Sequence, residues 1–106
     1  MKKLEPELKK NGFLYKLVER TDNCAIYEQF DIDDPNNVYS VAFEVFEVRI
    51  AKESSINGRI IEGGERFPGN EDFGSKKCWS FTCISGRDKA LNKAKSKYEE
   101  LKLKVI

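Results

Sequence analysis

The chain has 106 residues, 40% hydrophobic and 35% charged, with a formal net charge of +1, no histidine and three cysteines. That length fits one domain that buries roughly two-thirds of the surface its unfolded chain would expose. The composition excludes the disordered and membrane-helix classes, because no apolar run nears the about 18 residues that a span requires.

A near-neutral total argues against a strongly electrostatic grip on nucleic acid unless the positive charge is gathered on one face. The opening MKKLEPELKK lacks the apolar core of a signal peptide, so the expected location is cytoplasmic and no membrane partner is implied. Cys78 and Cys83 are five residues apart, which sends them to opposite faces of a strand. With no histidine and no Cys-x-x-Cys, reduced thiols are expected, with no zinc site and no cofactor.

Taken in order, residues 4–11 are predicted to be a short helix. Leu4 and Leu8 are four apart, Pro6 suits a first turn and Gly12 a stop. Residues 13–19, FLYKLVE, form a predicted strand, ended by Asp22 and Asn23 in a turn. Residues 24–32, CAIYEQFDI, return as the second strand of a hairpin. The turn cluster at residues 33–37, DDPNN, delivers the chain into the longest strand-like run, residues 38–51. There Tyr39, Val41, Phe43 and Val45 share one face, after which the apolar phase slips to Phe46, Val48 and Ile50. The slip predicts a β-bulge at Val45 and Phe46 in a long central strand.

Residues 52–77 carry five glycines and ten charges, with Arg59-Ile60-Ile61 as a short strand after the turn pair Asn57-Gly58. Residues 78–84, CWSFTCI, are a further strand with Trp79, Phe81 and Cys83 on one face, expected at a sheet edge or beside the first strand. Ser85 is the predicted N-cap of a last helix, with Asp88 as the acid of a capping box. Its core stripe is Ala90, Leu91, Ala94, Tyr98 and Leu101. The expected class is α+β: an antiparallel sheet of four to five strands, with a short N-terminal helix and a longer C-terminal helix packed on one face.

Chemistry-bearing residues are sparse. The predicted bulge would bring Glu44 and Glu47 onto one polar face beside Arg49, the raw material of acid–base or metal-assisted phosphodiester chemistry. No preceding aspartate completes such a site, and no catalytic residue is assigned. A cysteine nucleophile lacks a histidine base. The acids at Asp31, Asp33 and Asp34 lack the spacing of a calcium loop.

A binding module is therefore expected, with nucleic acid as the leading partner class and a protein as the alternative. Nucleic acid would be met by Arg87, Lys89, Lys93 and Lys97 on the outer face of the last helix. Aromatics among Tyr15, Tyr27, Tyr39, Phe43 and Trp79 would add stacking if exposed. A protein partner would instead be met by the 52–77 loop. There Phe67 and Phe73 would pack back near Trp79, leaving Glu65, Arg66, Glu71 and Asp72 as exposed readers.

Four phrases, Lys10-Asn11-Gly12-Phe13, Ala25-Ile26-Tyr27-Glu28, Phe43-Glu44-Val45 and Glu65-x-Phe67-Pro68-Gly69-Asn70-Glu71-Asp72-Phe73-Gly74, precede Trp79 in that order. In this ordering the chain resembles short uncharacterised proteins carried by bacterial phages and other mobile elements. The resemblance implies an accessory protein that acts by binding DNA or a host protein.

Overall fold

The structure, a computed structural model, describes residues 3–34, 36, 39–67 and 78–103. Two Asn-Gly pairs set the tightest turns. Asn11 (φ 54°) and Gly12 (φ 81°) join strand β1, Glu7–Lys10, to β2, Phe13–Arg20. Asn57 (φ 51°) and Gly58 (φ 78°) join β6, Ser54–Ile56, to β7, Arg59–Ile61, as the sequence predicts. Positive φ at both central residues matches the right-handed twist of the strands they connect, and Asn-Gly adopts it at low strain.

The first of these turns overturns the expected N-terminal helix. Leu4 and Leu8 are an even number of residues apart, so they share a face in a strand as readily as in a helix. The Asn-Gly turn decides for the strand by pairing Lys10 with Phe13 and Glu7 with Lys16.

β3, Cys24–Asp31, and β4, Ser40–Glu47, continue the meander. After β4 the chain leaves the sheet as β5, Arg49–Ala51, passes through the β6–β7 hairpin, and returns as β8, Gly64–Arg66, which pairs with β5. β9, Cys78–Thr82, then adds antiparallel to β4, giving the order β1-β2-β3-β4-β9. β9 is thus an edge strand whose neighbour is β4, not the first strand. The helix α1, Arg87–Leu103, follows as the single helix among the described residues.

The phase slip read in the central run has a different origin from the one expected. Pairing of β3 with β4 is continuous through Val45 and Phe46, and the irregularity falls at Val41, between the Gln29–Ala42 and Phe30–Ser40 pairs. Both faces of β4 are buried, so its apolar residues run together instead of alternating.

On one face Phe43 and Val45 join Cys24 and Ile26 beneath Ala90, Ala94, Tyr98 and Leu101 of α1, with Trp79, Phe81 and Cys83 at the margin. On the other, Phe46 joins Tyr15, Ala25, Tyr27 and Cys78, covered by Leu4, Leu8 and Phe67. Cys78 and Cys83 do lie on opposite faces, and none of the three cysteines is in a disulfide.

Phe67 packs back onto the sheet as anticipated, but against Tyr15, Tyr27 and Phe46 at ring separations of 4.7, 5.2 and 5.1 Å. Trp79 belongs to the helix face, so the two aromatics lie on opposite sides of the sheet. Phe73 lies outside the described residues.

The segment above Phe67 is locked by a buried ion pair. Arg20 Nη1 and Nη2 each donate to one Glu65 oxygen at 2.7 Å, while the Leu4 amide donates to Glu65 Oε1 at 3.0 Å. Nearby, the Tyr27 hydroxyl donates to the Glu5 carbonyl at 2.7 Å. These bonds tie the N-terminal segment and β8 onto the sheet.

Candidate functional site

α1 owes its placement to the turn before it. Gly86, at φ 118°, donates to the Cys83 carbonyl at 3.0 Å, and its own carbonyl accepts the first helical bond from Ala90 at 3.2 Å. Gly86 therefore takes the capping position expected of Ser85, since this turn requires a backbone that Ser adopts only with strain. The helix then doubles back along β9, with the Lys97 ammonium 4.7 Å from the Trp79 ring centre near the strand's start. Residues 87–97 carry five cations against the single acid Asp88, and the positive end of the helix dipole adds to them.

The four cations expected to act together separate into two pairs. Arg87 donates to Glu28 Oε2 at 2.8 Å and Oε1 at 3.3 Å, and lies over the Phe43 ring. Ser40 hydrogen-bonds to the same carboxylate, so Arg87 fastens the helix start to β3 and β4. Lys97 is 3.2 Å from Glu100 and covers Trp79. Lys89 and Lys93, by contrast, are exposed and make no ion pair with any described carboxylate.

These two free lysines line a groove of about 250 Å³ with Ser80, Phe81, Thr82, Ser85, Gly86 and Ala90. One wall is α1 and the other is the outer edge of β9. The Cys83 amide donates to the Val41 carbonyl at 3.0 Å, which fixes the alternation of the strand. Phe81 and Trp79 therefore bond inward to β4, and the N–H and C=O groups of Ser80 and Thr82 point outward. The same end of the sheet carries Tyr39, 78% exposed, and Ile84, 90% exposed. Of the other aromatics considered for stacking, Tyr15, Tyr27 and Phe43 are buried and Trp79 is half-buried.

The other expected readers fare differently. Glu65 is 4% exposed and is consumed by Arg20, so it is a structural carboxylate and not a reader. The Arg20 guanidinium and the Leu4 amide hold its pKa down at about 2. Arg66 is exposed and donates to the Glu62 carbonyl at 3.3 Å. Glu71 and Asp72 lie outside the described residues.

Glu44 and Glu47 do not converge. Glu44 pairs across the sheet with Tyr27 on the face away from the helix, while Glu47 pairs with Cys24 on the helix face. The reason is the regular pairing at Val45 and Phe46, which keeps successive residues on opposite sides and so parts two residues three positions apart.

Glu44 is 5% exposed, its Oε2 has no hydrogen-bond partner among the described residues, and burial raises its pKa to about 7 despite the nearby Lys10. A folded pKa above the ordinary carboxylate range means that this group's stability contribution is complete in acid and is lost as pH rises through about 7. Glu44→Gln should therefore be more stable than the parent at pH 8, by about 1–3 kcal/mol, with the difference vanishing near pH 4. Urea unfolding at the two pH values checks this, and a variant less stable than the parent at pH 8 would contradict it. Gln29, in the neighbouring row of that face, donates to the Tyr15 hydroxyl at 2.9 Å.

The fold and the groove define a small α+β protein with a cation-flanked sheet edge that no strand among the described residues covers. No protein-family model, no curated protein and no solved structure matches the chain. Among the described residues, no group of three or more acids and cysteines is placed to hold a metal ion, and no helix is long and apolar enough to cross a membrane.

Proposed function

We propose that the protein is a binding module that takes an extended anionic chain in the groove between β9 and α1. The observation that carries this reading is the pair Lys89 and Lys93, one helical turn apart and, among the described residues, without carboxylate partners, facing a strand edge that no described strand pairs. A solvated cation that keeps its charge uncompensated attracts a polyanion at little desolvation cost. The resemblance to short phage-borne proteins fits an accessory protein that acts by binding.

Single-stranded nucleic acid is one such chain. It is favoured by the five-to-one excess of cations at the start of α1 and by the exposed ring of Tyr39 at the same end of the sheet, where a base could stack.

Fluorescence anisotropy with a dye-labelled glutamate-rich peptide and a dye-labelled oligothymidylate tests the reading. At least one should bind, more weakly as salt rises from about 50 to 200 mM. Lys89→Glu with Lys93→Glu should lose that binding while keeping the parent's melting temperature, because both side chains are exposed. Absence of binding by either probe, or undiminished binding by the double variant, would refute the groove as the site.

A further inference from the structure

The two outer strands of the sheet are built differently. β1, Glu-Leu-Lys-Lys, carries charge at three of its four positions, which is how natural proteins stop an exposed strand from pairing with another chain. β9, Cys-Trp-Ser-Phe-Thr, carries no charge and no proline across five residues. Its ladder groups at Ser80 and Thr82 point outward, and both residues are exposed on the face away from α1. Among the described residues no strand pairs with that edge. An edge left open while its counterpart is blunted is a template for strand addition.

We infer that β9 accepts a sixth strand from an acidic polypeptide partner, with carboxylates at alternate positions meeting Lys89 and Lys93. This rests on the groove reading above and names the class of partner.

Three features of the groove select this occupant. The first is spacing. Lys89 and Lys93 are separated by one helical turn, about 6 Å along the axis, and alternate residues of an added strand are about 6.8 Å apart. Because α1 runs back along β9, two carboxylates two residues apart on the helix side of the new strand come opposite the two ammonium groups. The residue between them points to the other face, beside the small Ser80 and Thr82, which leave room for an aliphatic side chain.

The second feature is charge, which also excludes a second copy of the chain. Antiparallel pairing of two β9 edges about a two-fold axis would set the lysine pair of one copy against that of the other, with repulsion where the peptide finds attraction. The third is the backbone. The outward N–H and C=O groups of Ser80 and Thr82 match the alternating donors and acceptors of a peptide, whereas a phosphodiester chain offers acceptors alone along its backbone. Ile84, 90% exposed just beyond the strand, adds an apolar contact at the groove's end.

The test uses the whole protein, isotope-labelled, and four probes: a blocked peptide alternating Glu and Val, the same peptide with Gln for Glu, the same peptide N-methylated at alternate residues, and oligothymidylate. The Glu-Val peptide should shift the amide resonances of Ser80 and Thr82 and slow their hydrogen exchange. The Gln peptide should bind roughly tenfold more weakly, since only the lysine contacts change. The N-methylated peptide keeps its charge but loses its ladder donors, so it should fail to protect Ser80 and Thr82.

If the N-methylated and parent peptides bind alike, or if oligothymidylate binds at the lysines and the peptide does not, strand addition is overturned while the groove survives. If no probe perturbs Lys89, Lys93 or β9, both readings fall. Concentration-dependent dimerisation of the free protein with protection of Ser80 and Thr82 would give the edge to a second copy and overturn the inference.

Discussion

Arg20→Met is expected to lower the stability of the protein by about 3–5 kcal/mol, the usual effect of stranding one member of a buried ion pair. The Glu65 carboxylate has a side-chain exposure of 3%, and both of its oxygens are held by Arg20. Without the guanidinium the charge keeps, among the described residues, only the Leu4 amide at 3.0 Å and the largely exposed Lys3 ammonium at 4.0 Å. Replacing both partners, Arg20→Met with Glu65→Leu, should recover most of the loss, because two apolar groups leave no charge uncompensated.

The pH dependence of this pair runs opposite to that of Glu44. A folded pKa of about 2 means that the Glu65 contribution is complete above the ordinary carboxylate range and is lost as pH falls towards 2. Denaturant midpoints for the single and double variants at neutral pH check the pair, and an Arg20→Met variant within about 1 kcal/mol of the parent would contradict it.

Phe67→Ala should cost about 2–4 kcal/mol, somewhat below the loss for a fully enclosed ring because Phe67 is only half-buried. Its ring bridges three sheet aromatics, with an edge-on contact to Phe46 and another to Tyr27 and a tilted one to Tyr15. Phe67→Leu keeps most of the apolar volume and should cost about 1.5 kcal/mol or less. Neither change should alter binding in the groove, which lies across the sheet beside α1. A destabilised Phe67→Ala protein that also loses polyanion binding while still folded would mean that the two faces are coupled in a way this architecture does not provide.

The strands and the last helix were legible because their signals are local. FLYKLVE and CAIYEQFDI are separated by one short turn, and Ala90, Ala94, Tyr98 and Leu101 repeat at helical spacing. The N-terminal strand was not legible, because Leu4 and Leu8 satisfy two periods at once and only the pairing across Asn11-Gly12 separates them. The phase slip in the central run was ambiguous for a similar reason, since a bulge and a strand buried on both faces produce the same merged apolar pattern.

The site was half legible. Sequence spacing put Lys89 and Lys93 on the outer face of a helix, but it could not separate them from Arg87 and Lys97. Glu28 is 59 residues from Arg87, and Trp79 reaches Lys97 only through the fold. Glu65 was misread as a surface reader because Arg20, 45 residues earlier, gives no local sign of their pairing. An edge position for residues 78–84 was among the expectations, but the neighbour β4 emerges only across the long excursion through β5 to β8, a non-local pairing that periodicity does not encode.

Amide hydrogen exchange of the free protein, read residue by residue along β9, tests the open edge most directly. Phe81 and Cys83 bond inward to β4, and their amides should be protected by about a hundredfold or more. Ser80 and Thr82 point outward beside Lys89 and Lys93, and theirs should exchange within about tenfold of the free-peptide rate. Equal protection at all four positions would mean that the edge is already paired in the free protein, and the groove would have no ladder to offer a partner.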